Sequence, residues 1–125
     1  MQTSKRLSRF RHNALRLGEE HARLLALFLA PEPLLRGTVY ELRRRCGKPS
    51  CACAADGPPH SSWVLSWSEQ GRTRLRVVPR GSLVEWRLWT SRYQKLRRAR
   101  ARLVTLHAEL LTILDALEQG RRRGR

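Results

Sequence analysis

The chain places all three of its cysteines and one of its four histidines in a single stretch, "CGKPSCACAADGPPH", over residues 46–60. The spacing is C-x4-C-x-C-x6-H, through Cys46, Cys51, Cys53 and His60. Thiolate and imidazole are the ligands of tetrahedral zinc, and three cysteines with one histidine form a common structural set. Gly47, Pro49, Gly57, Pro58 and Pro59 give the intervening chain the sharp turns that ligand convergence needs. Lys48 with Arg43, Arg44 and Arg45 would offset three thiolates on one divalent ion and lower the thiol pKa values.

Other chemistries account for fewer of these residues. A disulfide would use two thiols, leave the third free and require an oxidising compartment. A cysteine nucleophile could take His60 as its base and Asp56 as an orienting carboxylate, but this leaves two cysteines without a role. Cysteines that only fill a core would not gather in a loop rich in glycine and proline. A metal site uses all four residues. Within it His60 has the least support, being a lone histidine in a loop. Of the other histidines, His21 and His107 fall on or beside helical seams, and His12 sits among surface charges.

Charge points to the partner. The 125 residues carry 26 Lys+Arg against 10 Asp+Glu, a formal net charge of +16. Such a chain repels itself and attracts polyanions, of which nucleic acid is the commonest large one in a cytoplasm. Arginine greatly outnumbers lysine, which suits bidentate phosphate contacts but would equally follow from a GC-rich genome. The basic residues fall in three groups: Arg43, Arg44, Arg45 and Lys48 around the loop, Arg72, Arg74 and Arg76 on a strand, and Arg121, Arg122 and Arg123 in the C-terminal run. These are the expected phosphate contacts of a DNA- or RNA-binding module. The four tryptophans could stack on bases, although their spacing favours a place in the core.

These residues need elements to hold them. Leu7, Phe10, Ala14, Leu17, His21, Leu24 and Phe28 recur three and four apart, which predicts a helix with a heptad-like stripe over residues 4–30. "PEP" at residues 31–33 ends it. "TVYELRR" after Gly37 reads as a strand. Beyond the loop, "SWVLSWS" and "RTRLRVV" joined by "EQG" read as a β-hairpin. Trp63, Leu65 and Trp67 alternate onto one face of the first strand; in the second, Leu75 and Val77 alternate against Arg72, Arg74 and Arg76. Ser82, with Glu85 three residues on, suits the start of a second helix over residues 82–118. Trp89, Leu96, Ala99, Leu103, Leu106, Leu110, Ile113 and Leu117 form its stripe, with Arg92 in an apolar slot.

The expected fold is therefore α+β, a small zinc-ribbon-like antiparallel sheet of three strands flanked by two long helices. Residues 1–120 form one domain, with the zinc-loop β module at 37–80 and a disordered basic tail at 121–125. The helices should pack antiparallel along their stripes, and coiled-coil pairing could extend to a second copy. A structural zinc contributes about 10 kcal/mol to folding in small zinc peptides, which explains how so small a sheet could be stable.

A family resemblance follows from the same residues. Gly37 followed by "TVYELRRRCGKPSCACA", then a histidine, an aromatic-bearing strand, a basic strand and a long charged helix, resembles a family of short, uncharacterised prokaryotic proteins. Its mark is a CGKP-x-C-x-C loop followed by a histidine, and the resemblance covers about residues 34–117. The family shows His-Gly-Pro-aromatic after the loop, where this chain has His60-Ser61-Ser62-Trp63. The resemblance implies a small metal-binding protein and brings no established biochemical role with it.

The leading expectation is a small zinc-binding protein that binds nucleic acid through phosphate contacts. The alternative is a helical interaction or dimerisation module, an accessory subunit with a purely structural zinc. No carboxylate pair, catalytic triad or Gly-rich phosphate loop can be assembled, so neither an enzyme nor a small-molecule substrate is expected. No apolar run approaches the roughly 20 residues of a membrane span, and the expected location is the cytoplasm.

Overall fold

A computed structural model describes residues 2–45, 47–54 and 57–124. The elements are helix α1 (Gln2–Leu29), strand β1 (Thr38–Arg44), a 3-10 turn (Ala52–Ala54), strands β2 (His60–Glu69) and β3 (Arg72–Val77), and helix α2 (Leu83–Arg121). Two helices and one antiparallel sheet make the α+β class expected. The chain divides into two compact units: a helical one, up to Glu32 and from Lys95 onward, and a sheet unit, Pro33–Gln94.

In the helical unit the stripes face inward. Leu17, Ala99 and Leu106 are buried, and Leu106 is fully so. Leu7, Phe10, Ala14, His21 and Leu24 of α1 are half-buried, as are Leu103, Leu110, Ile113 and Leu117 of α2. The two segments run antiparallel. Leu7 packs against Gly120, where any Cβ would collide with its side chain, while Glu20 meets Arg102 and His21 meets His107 nearer the other end. Arg102 bridges both helices, donating to Glu20 at 2.6 Å and to Glu109 at 3.0 Å. Its guanidinium holds the Glu20 carboxyl below the ordinary value of 4.5, chiefly by hydrogen bonding. Leu15 and Leu29 of α1, with Val104 and Leu111 of α2, stay exposed.

The sheet unit has strand order β1-β2-β3, antiparallel throughout. β2 and β3 are joined by Gln70 and Gly71 alone. Both have positive φ, 51° and 76°, as a type I′ hairpin turn requires. Glu69 then pairs with Arg72, Trp67 with Arg74 and Leu65 with Arg76. Directly opposed residues of an antiparallel pair share a face. The arginine stripe therefore lies on the tryptophan face, together with Val39 and Glu41 of β1. Leu75 and Val77 fall on the other face with Tyr40 and the buried Val64, and all three remain exposed.

The first turns of α2 belong to the tryptophan face. The Ser82 carbonyl accepts from Trp86 N–H at 2.9 Å, starting the helix, and Leu35 N–H donates to the Trp89 carbonyl at 3.2 Å. Arg76 lies over the Trp86 ring and Arg87 over the Trp63 ring, at 5.6 and 5.5 Å from the centroids. Arg92, the charge in an apolar slot, reaches the Pro33 carbonyl at 3.5 Å. None of the four tryptophans is fully buried; all are half-exposed.

Candidate metal centre and basic face

The loop between β1 and β2 folds back on itself through short backbone bonds. Cys51 N–H donates to the Lys48 carbonyl at 3.1 Å, Ala54 N–H to Cys51 at 3.0 Å and Gly57 N–H to Ala52 at 3.0 Å. At Gly57 a Cβ would run into the Ala52 carbonyl, so this close approach needs glycine. Arg45, at the exit of β1, donates one guanidinium nitrogen to the Cys53 carbonyl and, at 3.1 Å, to the Gly57 carbonyl. The side chain thus holds the loop by its backbone.

This folding brings Cys51, Cys53 and His60 together. Their ligand atoms all lie within 4.8 Å of one another, and Cys51 Sγ is 3.1 Å from His60 Nε2. Three atoms so spaced have a common point within 4.8/√3, about 2.8 Å, of each. Zinc–sulfur and zinc–imidazole bonds are about 2.3 and 2.0–2.1 Å, so a small contraction suffices. Both cysteines are free thiols, Cys53 buried and Cys51 half-buried, while His60 is exposed. The three residues can hold a metal ion. Cys46, the remaining expected ligand, lies outside the described residues, as does Asp56.

The other basic residues divide by surroundings. Arg43 is paired with Glu41 at 2.7 Å, on the tryptophan face. Arg44 stands opposite His60 in the β1–β2 register, on the other face. Arg44, Arg45 and His60 line a groove of about 450 Å3 beside the metal ligands, and Lys48 is exposed in the loop. Arg72, Arg74 and Arg76 are exposed, and no ion pair holds them among the described residues. Arg121 is the last residue of α2; Arg122 follows it and pairs with Glu118 at 3.5 Å, and Arg123 donates to the Arg121 carbonyl at 3.4 Å. Arg125 lies outside the described residues.

A family model described as "Domain of unknown function (DUF6788)" matches residues 4–87. The chain belongs to that family. The DUF6788 match begins in α1 rather than at Leu34 and stops early in α2 rather than at Leu117, so it spans the cysteine loop and the whole sheet. No curated protein and no solved structure matches the chain. Among the described residues no helix is long and apolar enough to cross a membrane.

Two contributions escaped the sequence reading. Arg45 spacing says nothing of its carbonyl partners, because a guanidinium reaching eight and twelve residues along the chain leaves no periodic trace. Arg36, tied to the Ser68 carbonyl at 2.7 Å, joins the tryptophan face from the lead-in to β1. A glycine at position 37 signals a turn there but not where its neighbour's side chain goes.

Proposed function

We propose that this DUF6788 protein binds one structural zinc through Cys51, Cys53, His60 and Cys46, and binds nucleic acid through its basic surface. The zinc reading is supported by the convergence of two thiols and an imidazole within 4.8 Å; three such donors favour zinc over the oxygen-seeking magnesium and calcium. The nucleic-acid reading is carried by one observation. Arg72, Arg74 and Arg76 form an exposed row on one strand, with no ion-paired carboxylate among the described residues, in a chain of net charge +16. Phosphate contacts position a protein without reading bases, so the reading claims no sequence specificity.

Native mass spectrometry with and without chelator reports bound metal, copy number and retained nucleic acid together. Binding across a salt series then tests the row itself. Replacing Arg72, Arg74 and Arg76 by glutamine should weaken binding and flatten the slope of log affinity against log salt by up to about 3 units on duplex DNA, at about 0.9 per phosphate. Zinc-loaded protein that binds neither duplex nor single strands more tightly than about 10⁻⁴ M near physiological salt would end the nucleic-acid reading.

A second reading has its own support. Leu15 and Leu29 are 69% and 73% exposed, and Val104 and Leu111 are each 61% exposed, seven residues apart on α2. A helical interaction module would cover such residues with a second copy or another protein, and the copy number in native mass spectrometry tests this directly.

A further inference from the structure

The tryptophan face carries a groove of about 490 Å3, within the roughly 300–1,000 Å3 of small-ligand sites. Trp67 of β2 and Trp86 and Trp89 of α2 line it, with the buried Leu65 beneath them. Arg36 and Arg76 border it, and Arg74 stands directly opposite Trp67 in the sheet register. Glu69 is the one carboxylate among the lining residues, and it accepts a hydrogen bond from the Trp67 indole at 3.1 Å.

We propose that this groove takes one unstacked base of a single-stranded nucleic acid, with the flanking phosphates on Arg36, Arg74 and Arg76. The inference rests on the nucleic-acid reading above and sharpens it from any polyanion to a single strand. An occupant must offer a flat apolar surface to three half-exposed indoles and negative charge to arginines without a paired carboxylate. A base with its phosphates offers both, and aromatic platforms lined by cations are how single strands are held without sequence preference. A duplex presents only phosphates to such a surface, because its bases are already stacked inside. Glu69 accepts hydrogen bonds only when ionised, so it faces the amino or ring N–H groups of the base rather than its phosphate.

Arg36 is fixed for this task. Its bond to the Ser68 carbonyl uses one of five guanidinium donors and sets the side chain at the groove edge. Arg76 lies against one face of Trp86, which rigidifies the ring and adds a cation beside the base.

The groove can be tested by tryptophan emission during titration of zinc-loaded protein with four probes: a short single strand, an abasic strand of equal length, the corresponding duplex and a nucleoside monophosphate. The base-bearing strand should quench emission and bind at least about tenfold more tightly than the abasic one. Trp67→Ala and Trp89→Ala should each lower single-strand affinity by roughly 5- to 150-fold, the range for one lost stacking contact, and leave the salt slope unchanged. Trp67→Phe should stay near wild type. If the alanine variants fail to fold, the wild-type comparison of base-bearing and abasic strands and the Trp67→Phe titration decide alone. Equal binding of both strands would overturn the groove while leaving phosphate binding intact. A monophosphate bound as tightly as the strand would overturn it in favour of a free nucleotide. Loss of all four interactions would remove the underlying function as well.

Discussion

Arg45 stands where β1 gives way to the cysteine loop, and its guanidinium donates to the carbonyls of both Cys53 and Gly57. Cys53 is the buried ligand, and Gly57 lies between it and His60. The arginine therefore acts on the ligands through backbone it does not share with them. Charged hydrogen bonds contribute about 1.5–3 kcal/mol each where they are shielded. Arg45 is exposed, and water competes for both bonds; about 1–2 kcal/mol for the pair is a fair sum. At about 1.36 kcal/mol per tenfold, Arg45→Met should cost roughly 5- to 30-fold in zinc affinity. That agrees with the about 10- to 100-fold seen when groups supporting metal ligands are removed. Competition against a chromogenic chelator measures the affinity, and cobalt substitution checks that the thiolate bands, hence the ligand set, survive. If Arg45→Met binds zinc within twofold of wild type, the loop-holding role is refuted. A loss of about 0.9 from the salt slope on duplex DNA with zinc affinity unchanged would instead make Arg45 a phosphate contact.

Two further outcomes test the helical unit. Leu106→Ala should lower stability by about 2–5 kcal/mol in urea denaturation, because the side chain is fully buried, whereas Leu111→Ala, at an exposed site, should change it by less than about 0.5 kcal/mol; equal effects would contradict the packing. Glu20 has its pKa lowered in the fold by the hydrogen bond from Arg102, so the pair's stabilisation is complete above the ordinary carboxyl value of 4.5 and is lost as pH falls through the lower folded value. Arg102→Gln should flatten that acid limb of the urea midpoint, and parallel acid limbs in variant and wild type would refute the coupling.

The stripes and strands were legible because each repeats. Seven positions of α1 and eight of α2 follow a period that only one helical face can satisfy, and all of them but Phe28, 38% exposed at the end of α1, are at least half-buried. The cysteine loop was legible because soft ligands cluster for few other reasons. The register of the hairpin was not. A connection read as Glu69-Gln70-Gly71 pairs Ser68 with Arg72 and sets Leu75 opposite Leu65, which gives the apolar face that alternation suggests. The turn uses only Gln70 and Gly71, and one residue of slip turns every side chain of β3 to the other face. Alternation fixes which residues of one strand go together; it is silent on which face of the neighbour they join. Gln70 gave no warning, since the type I′ turn favours asparagine, aspartate or glycine at that place.

That register ties the metal ligands to the tryptophan face. β2 begins at His60 and ends at Glu69, so the strand that carries a ligand at one end carries Trp63, Leu65 and Trp67 along its length. β1 and β2 are joined by a long loop, which specifies their pairing far less tightly than the two-residue turn specifies that of β2 and β3. An ion held by Cys51, Cys53 and His60 would pin the open end of that pairing, with His60 opposite Arg44. Without the pin, a one-residue slip of β1 would send Val39 and Glu41 to the wrong face and part Glu41 from Trp63, its partner in the sheet. A structural ion thus has a definite task here: it fixes the strand pairing on which the joint face of arginines and tryptophans is built.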